Sequence, residues 1–378
     1  MLKMFIFVAI SFLISLALMP AIIAFSKKHN VYDYSDKRKI HIGKISRLGG
    51  IGIVCGFFIS TVLYLIFTDE INFWQTLPII ISGAIIFIFG IIDDLKNLKA
   101  IIKLLAQIVA ALIVIFDGFR FKQIFAWILP LPISCVLTFA WIIGVINAYN
   151  LIDGLDGLSG TLTFTAAVTL GILYFSMGSF ESGVCFCLAA SILGFLCFNW
   201  PPAKIFMGDS GSQFLGFMIA ILPLYPMEPR NYAFEFNKFF MVVVLTSFPV
   251  FDVIAAIWRR LREHRPIMSP DASHLHHKLL HLGFSKKATL VLVLIFQILL
   301  CVTVVLSYCM SKRSLIDGII LLSVAIVFMI VFFAIIHFTN RAVIQKTKRE
   351  SSPDYKNNAG GGALNFIIKI KNLFKKHK

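Results

Sequence analysis

The chain has 378 residues, of which 58% are hydrophobic and only 14% are charged, and its mean hydropathy is +0.87. This composition excludes an ordinary soluble domain and predicts a protein with several membrane spans. The formal net charge of +16 does not indicate a nucleic-acid partner, because no soluble basic domain is evident; basic loops instead favour contact with anionic lipid headgroups.

The apolar runs of the chain have about the length that a helix needs to cross a bilayer, roughly 17–25 residues. They number eleven and lie at about 4–25, 48–67, 75–92, 100–116, 131–149, 160–177, 183–199, 212–226, 238–258, 289–309 and 315–338. Glycine and proline interrupt the stretch 117–130, which we expect at the membrane interface. The sequence therefore predicts an all-α polytopic integral membrane protein with about eleven transmembrane helices.

Lysines and arginines are divided unequally between the two sides that alternating spans define. Five segments on one side (26–47, 93–103, 200–211, 259–288 and the tail after 338) hold 28 of the 35, and the opposite loops hold six. Because basic residues accumulate in cytoplasmic loops, we expect the N-terminus outside and the C-terminus in the cytoplasm.

The chain divides into two parts of different character. Residues 1–340 form the predicted multi-span membrane domain, and residues 341–378 form a predicted cytoplasmic tail. A glycine-rich linker, Asn357–Gly362, precedes a segment in which apolar residues share one helical face and lysines the other. Such a segment is typical of a basic amphipathic helix on the inner leaflet.

Two adjacent carboxylates, Asp93 and Asp94, follow the third apolar run. Neighbouring carboxylates repel each other unless a cation intervenes, and hard oxygen ligands suit Mg²⁺ and phosphate chemistry. Lys103 lies at the start of the fourth run, where it could reach a lipid phosphate. Taken alone, the two acids are also compatible with a solvated helix end.

Amides and carboxylates spaced three apart end the fifth run: Asn147, Asn150, Asp153 and Asp156. On a straight helix each interval of three loses about 60° of phase, so the outer members would face opposite ways. Gly154 and Gly157 can release the helix and let the carboxylates fold back. A loop cap accounts for one or two of these residues, whereas four at a fixed spacing predict a binding site.

The string Gly208-Asp209-Ser210-Gly211-Ser212 opens the eighth run. Backbone N–H groups at a helix start, with hydroxyl caps, make an anion site. Asp209 beside them could hold a cation that bridges phosphates. Alone, the string is as typical of a turn as of a site.

Three histidines, His274, His276 and His277, lie in the largest loop after an arginine-rich run that ends at Arg265. No cysteine is near to complete a structural zinc site. Histidines and arginines suit a phosphorylated, sugar-bearing donor, whereas a solvated basic loop would not account for the histidines. Asp252, within the ninth run, should face the interior with a partner, for which an arginine of the following loop is the candidate.

In order along residues 33–280, these motifs resemble the polyprenyl-phosphate N-acetylhexosamine-1-phosphate transferases. The matching strings are Asp33…Arg38-Lys39-x-His41…Arg47-Leu48-Gly49-Gly50, Asp93-Asp94…Lys103, Asn147-x-x-Asn150-x-x-Asp153-Gly154-x-Asp156-Gly157, Gly208-Asp209-x-Gly211-Ser212, and Ser269-Pro270-Asp271-x-Ser273-His274-Leu275-His276-His277. The first and last strings are similar to the branch that uses UDP-N-acetylglucosamine (UDP-GlcNAc).

The resemblance implies an enzyme of a bacterial cytoplasmic (inner) membrane, with its active site at the cytoplasmic face. It would transfer GlcNAc-1-phosphate from UDP-GlcNAc to undecaprenyl phosphate, giving undecaprenyl-diphospho-GlcNAc and UMP. This is the first membrane step of a cell-envelope polysaccharide such as O-antigen or teichoic acid. The implied cofactor is Mg²⁺, for which Mn²⁺ could substitute, and a homodimer is compatible with the resemblance.

The resemblance also assigns roles to individual residues. Asp209 and Asn150 are the expected Mg²⁺ ligands, and Asp93 or Asp94 would accept the proton of the lipid phosphate or support the metal. The expected donor-binding residues are Asn147, Asp153, Asp156, Gly208, Arg265, His274, His276 and His277. The expected lipid-phosphate-binding residues are Lys103, Lys39, His41 and Arg47.

Two alternatives stay open. Phospho-N-acetylmuramoyl-pentapeptide or another UDP-N-acetylhexosamine could be the donor within the same reaction class. A secondary transporter also has broken helices with polar ends, but transporter sites lie near the bilayer midplane between repeats. Here the carboxylates gather at one face and no internal repeat is evident.

Overall fold

The computed structural model describes residues 2–32, 45–68, 70–226, 231–264, 266 and 274–351. This part of the chain is built almost entirely of helices. In chain order they are α1 (Leu2–His29), α2 (Gly49–Thr68), α3 (Glu70–Lys96), α4 (Ala100–Phe116), α5 (Leu131–Ile152), α6 (Leu158–Ser176), α7 (Glu181–Asn199), α8 (Gly208–Ile221), α9 (Tyr232–Leu245), α10 (Ser247–Arg262), α11 (Leu275–His281), α12 (Lys286–Ser311) and α13 (Leu315–Ser351). The predicted all-α membrane fold is confirmed.

The interrupted stretch between α4 and α5 forms the one hairpin among the described residues. Strand β1 (Gln123–Ile124) pairs antiparallel with β2 (Trp127–Ile128), so that Gln123 faces Ile128. The turn between the strands is Phe125-Ala126, with Phe125 at φ +52°, and the glycine and proline residues that excluded a span lie on either side of the hairpin.

Eight of the described helices are long and apolar enough to cross a membrane: α1, α2, α3, α5, α6, α7, α12 and α13. The pair α9 and α10 would make a ninth span, but it bends by 67° at Thr246. Helices α4 and α8 are shorter, with 17 and 14 residues. All eleven predicted runs therefore contain helix, while the count of eleven full spans stays a prediction.

Helix α8 lies inside the bundle. Every residue from Ser210 to Ile221 is buried, and α2, α3 and α5 pack around it. Glycines allow the closest approaches: a β-carbon at Gly90 would lie 2.4 Å from Ser210 Cα, and one at Gly50 would lie 2.4 Å from the Gly211 nitrogen. The N-terminus of α8 is thereby held against the ends of two neighbouring helices.

Helix α10 is amphipathic and turns away from the direction of α9. Its buried face carries Asp252, Arg259 and Arg260, and its exposed face carries Ile254 and Trp258. The polar face of α10 therefore points toward the protein and its apolar face points outward, which is typical of a helix at the membrane interface. The short helix α11 packs on α12 and α13.

Candidate active site

The ends of α3, α4, α5 and α8 meet at one face of the bundle. Asp93 and Asp94 lie in the last turn of α3, Lys103 lies in the first turn of α4, and Asp209 is the second residue of α8. The structure thus brings together polar clusters that are up to 116 residues apart in the sequence.

Lys103 joins two carboxylates from different helices. Its Nζ donates to Asp93 Oδ2 at 2.6 Å and to Asp209 Oδ2 at 2.8 Å. The backbone nitrogen of Leu98 donates to the other Asp93 oxygen at 2.6 Å. One ammonium group therefore compensates part of the repulsion between two acids, as partly buried charges require. We call Asp93, Asp94, Lys103 and Asp209 the carboxylate cluster.

Asp94 has a different environment from its neighbour in sequence. Its two oxygens accept the backbone N–H groups of Asp209 and Ser210, at 2.9 and 3.0 Å. It therefore caps the N-terminus of α8 from another helix, where an anion is favoured by the unpaired N–H groups and the helix dipole. The anion at this helix start is the protein's own carboxylate.

Gly208 makes this cap possible. Its φ of +72° lies in the left-handed region, and a β-carbon would meet Asp94 Oδ2 at 2.6 Å and the Arg47 carbonyl oxygen at 2.1 Å. Only glycine fits such a close approach without movement of the backbone.

Backbone pairing places the Arg47-Leu-Gly-Gly string beside the carboxylate cluster. The nitrogen of Phe206 donates to the Ser46 carbonyl at 2.7 Å, and those of Gly49 and Gly50 donate to the carbonyls of Phe206 and Met207 at 2.9 Å each. The buried Nε of Arg47 has no hydrogen-bond partner within the described ranges. Lys39 and His41, two further predicted phosphate-binding residues, lie outside the described residues.

The two asparagines of α5 face different neighbours. Asn150 Nδ2 donates to Ser212 Oγ at 3.0 Å, which places this amide beside the start of α8. Asn147 Nδ2 donates to Gln107 Oε1 of α4 at 2.9 Å. Asn150 therefore lies close to Asp209, and Asn147 is connected to α4.

Helix α5 ends at Ile152, and the chain turns back as the glycines predict. Gly157 has φ +76°, and its nitrogen donates to Asn199 Oδ1 at 2.8 Å. Asp156 Oδ2 accepts the Ala203 nitrogen at 3.3 Å. Asp153 is only partly exposed, and this partial burial, followed by the charges of Asp209, Asp94 and Asp156, raises its pKa well above its ordinary value.

Asp252 of α10 fixes the histidine helix α11. Its Oδ2 lies 2.8 Å from His274 Nδ1, and its Oδ1 accepts the Leu275 nitrogen at 2.8 Å. The described partner of Asp252 is thus a histidine and a helix N-terminus, where the sequence suggested an arginine. Arg265, a predicted donor-binding residue, lies outside the described residues.

His276 reaches the loop that follows α5. The ring is 2% exposed, and neither ring nitrogen has a hydrogen-bond partner among the described residues. A β-carbon at Gly154 would lie 2.8 Å from His276 Nε2, and the His277 ring centroid is 4.3 Å away. Burial, then the neighbouring His277, lowers the pKa of His276 to about 3, so the imidazole is neutral.

The oxygen donors near the start of α8 fit Mg²⁺. Asp209 and Asn150 offer a carboxylate and an amide oxygen, and the Lys103 ammonium shows that a cation is favoured beside Asp209. Among the described residues no group of three or more His, Cys, Asp or Glu could hold a metal ion. Mg²⁺ usually binds through one or two protein oxygen ligands and water, so these two donors fit it.

Sequence reasoning missed three amides that belong to this site: Gln107, Gln213 and Asn199. Gln107 lies four residues after Lys103 and Gln213 four residues after Asp209, so each shares a helical face with a charged residue. That spacing was the available signal. Asn199 lies at the very end of an apolar run and forms no motif.

Comparison with known proteins identifies the family. The model for glycosyl transferase family 4 matches residues 76–226. A probable undecaprenyl-phosphate N-acetylglucosaminyl 1-phosphate transferase of Bacillus subtilis (strain 168) is 31% identical over 330 residues, covering 86% of this chain and 88% of the relative. This chain belongs to glycosyl transferase family 4.

Two further relatives are similar over somewhat shorter stretches. An undecaprenyl-phosphate alpha-N-acetylglucosaminyl 1-phosphate transferase of Yersinia pestis is 30% identical, covering 76% of this chain and 80% of the relative. A decaprenyl-phosphate N-acetylglucosaminephosphotransferase of Mycobacterium leprae (strain TN) is 32% identical, covering 69% and 72%. The family and branch that the motifs indicated are confirmed.

Proposed function

We propose that this family 4 protein transfers GlcNAc-1-phosphate from UDP-GlcNAc to undecaprenyl phosphate, with Mg²⁺ as its cofactor. The observation that carries the proposal is the carboxylate cluster at one end of the bundle, where Lys103 joins Asp93 and Asp209. Membership in a family whose relatives are named for this transfer supports the substrates. The products are undecaprenyl-diphospho-GlcNAc and UMP.

The reaction exchanges one phosphorus–oxygen bond for another. An oxygen of the lipid phosphate attacks the phosphorus that carries GlcNAc, and the bond from that phosphorus to UMP breaks. UMP leaves with the bonding electron pair. Because the chemistry consists mainly of bringing several negative charges together, catalysis depends on positioning and charge neutralisation.

Asp93 is the better candidate for the proton acceptor of the lipid phosphate. Both oxygens of Asp94 accept backbone N–H groups of α8, so that carboxylate is committed to the fold. Asp93 has one oxygen on the Leu98 nitrogen and the other on Lys103. Movement of the Lys103 ammonium to the lipid phosphate would free this second oxygen.

Asp209 and Asn150 would hold Mg²⁺ at the start of α8. When bound, the ion supplies charge neutralisation for the pyrophosphate of the donor. Arg47, beside the same helix start, would bind the lipid phosphate. The loop after α5 and the histidine helix would bind the uridine and sugar, since His276 packs on Gly154.

The charge distribution supports a cytoplasmic position for this site. The side that carries the carboxylate cluster holds 28 of the 35 lysines and arginines, which favours a cytoplasmic face with the N-terminus outside. A soluble nucleotide-sugar donor is available from that side. We therefore propose that the protein lies in the bacterial cytoplasmic membrane.

The test is transfer of label in detergent. Purified protein is given UDP-[³H]GlcNAc and undecaprenyl phosphate with Mg²⁺, and parallel samples contain EDTA or the variant Asp209→Ala. We expect label in the organic phase only for the wild type with Mg²⁺. The matched control, Asp117→Asn, removes a carboxylate at the far end of α4 and should keep full activity.

Two results would contradict the proposal. Asp209→Ala activity above about a tenth of wild type would remove Asp209 from the metal site, because loss of such electrostatic stabilisation costs on the order of 100-fold. Faster transfer of phospho-N-acetylmuramoyl-pentapeptide than of phospho-GlcNAc would reject the donor while preserving the reaction class.

A further inference from the structure

Three amide side chains form a continuous hydrogen-bond chain between α5 and Asp209. Asn147 Nδ2 donates to Gln107 Oε1 at 2.9 Å, and Gln107 Nε2 donates to Gln213 Oε1 at 3.0 Å. Gln213 Nε2 donates to Asp209 Oδ2 at 3.4 Å, the longest link. Helices α5, α4 and α8 contribute one amide each. We call these three residues the amide relay.

Both ends of the amide relay fix its direction. Asn147 Nδ2 also donates to the backbone carbonyl of Ile143 at 2.8 Å, and a carbonyl can only accept. At the other end, the ionised carboxylate of Asp209 can only accept as well. All three amides therefore donate in one direction, and each bond polarises the next toward Asp209.

Burial shows that packing alone does not account for the two glutamines. Gln107 is 2% exposed and Gln213 is 5% exposed. A buried amide costs free energy unless its groups are hydrogen-bonded, so an apolar side chain would suit these positions better if packing were the only requirement. Their value lies in the bonds they make within the relay.

We propose that Gln107 and Gln213 are positioning residues that hold the Asp209 carboxylate in the orientation that binds a divalent cation. Gln213 Nε2 and Lys103 Nζ both donate to Oδ2, which turns the second oxygen of Asp209 away from these donors. The Asp209 side chain keeps 32% of its surface exposed, so a cation can reach it. The inference rests on the proposed cation-binding role of Asp209.

The relay also connects Asp209 to an exposed group. Asn147, the first member, is exposed on α5. A ligand that accepts a hydrogen bond from the Asn147 amide would compete with Gln107 for that N–H group and so affect all three members of the relay. Support of a metal ligand by hydrogen-bonded neighbours is worth about 10–100-fold in metal affinity.

The test measures Mn²⁺ binding by electron paramagnetic resonance on the full chain in detergent, beside the transfer assay. Gln107→Met and Gln213→Met keep the length of the side chain and remove its hydrogen bonds. The matched control is Gln297→Met, which removes an equally buried glutamine that bonds to the Leu245 carbonyl in α9, away from the carboxylate cluster. Leucine variants at the same positions serve if a methionine variant fails to fold.

We expect Gln213→Met to weaken Mn²⁺ binding about tenfold and Gln297→Met to leave it unchanged. If Gln107 acts through Gln213, then Gln107→Met should weaken binding in the wild-type background but not in the Gln213→Met background. Independent, additive losses, or an equal loss in Gln297→Met, would overturn the inference.

The two proposals fail in distinguishable ways. If the wild type is active and both Gln107→Met and Gln213→Met bind Mn²⁺ as tightly as it does, the positioning role of the glutamines is rejected and the proposed function stands. A wild type that binds Mn²⁺ with the expected variant pattern but transfers no label would reject the function and keep the relay. A wild type that does neither would reject both.

Discussion

The carboxylate cluster and the histidine helix differ in how completely their polar groups are paired. In the cluster, Asp93 and Asp94 use all four carboxylate oxygens in hydrogen bonds to Leu98, Lys103 and the start of α8. In α11, by contrast, His276 is buried with no hydrogen-bond partner for either ring nitrogen within the described ranges.

This difference indicates different tasks for the two regions. Groups held by several bonds from rigid helices are already in place for charge neutralisation, which is most effective when little reorganisation is needed. A buried polar group without a partner costs free energy that a ligand can recover. We therefore expect the cluster to carry the chemistry and the histidine helix to gain its bonds when the donor binds.

The largest expected effect is on the turnover rate, and it distinguishes Asp93 from the adjacent Asp94. Asp93→Asn should lower kcat by about 10²–10⁴, the range for loss of a general base, while the KM for UDP-GlcNAc barely changes. Steady-state transfer assays at varied donor concentration measure both constants. An equal loss of donor affinity would make Asp93 a metal or donor ligand instead.

Asp94→Asn is the matched comparison for Asp93→Asn. Asp94→Asn leaves one acceptor oxygen for two N–H groups, so it should lower the free energy of unfolding by about 1–3 kcal/mol. Asp93→Asn should change it less, because Lys103 is partly exposed and keeps Asp209 as a partner. Thermal unfolding in detergent measures both variants, and equal unfolding temperatures for wild type and Asp94→Asn would contradict the capping role.

The histidine helix should show a smaller effect that is confined to the sugar. His276→Ala should weaken use of UDP-GlcNAc about tenfold, which is about 1.4 kcal/mol and the scale of one hydrogen bond. Competition by UMP, which lacks the sugar, should weaken less. Equal weakening of both ligands would place His276 against uridine or phosphate.

An effect of similar size, on stability rather than on binding, follows from the neutral His276 imidazole. Its pKa is lowered from 6.5 to about 3, so between these values the unfolded chain binds a proton that the folded chain does not. This contribution to stability is present above pH 6.5 and is lost as the pH falls. Between pH 7.5 and 5.5 the wild type should lose about 1.4 kcal/mol more than His276→Gln. Parallel loss in both proteins would contradict the assignment.

Hydropathy predicted where the helices lie, because a membrane span needs a continuous apolar run whatever its partners. It also predicted which helix ends share a face, since spans alternate. The bend at Thr246 was not predicted, because the apolar run continues through it. The Asp94 cap was not predicted either, since its partner is 115 residues away. The string GDSG does not indicate whether its N–H groups bind a ligand anion or a carboxylate of the protein itself.

The amides show the same limit within the site. Asn147 and Asn150 were found because they stand in a regular series with two carboxylates. Gln107 and Gln213 each lie four residues after a charged residue, but that spacing does not indicate that they bond to each other across α4 and α8. A motif can be found from the sequence, whereas a bond between helices requires the fold.

The most direct test compares two variants, one in the carboxylate cluster and one in the histidine helix, for separate effects on cation and sugar binding. Transfer rates of Asp209→Glu and His276→Ala are measured while Mg²⁺ and UDP-GlcNAc are varied independently. We predict that Asp209→Glu raises the Mg²⁺ concentration needed for half-maximal rate and leaves the UDP-GlcNAc KM at saturating Mg²⁺ nearly unchanged. His276→Ala should do the reverse. If each variant shifts both constants by the same factor, cation binding and sugar binding are not assigned to separate regions, which contradicts the roles given to the carboxylate cluster and the histidine helix.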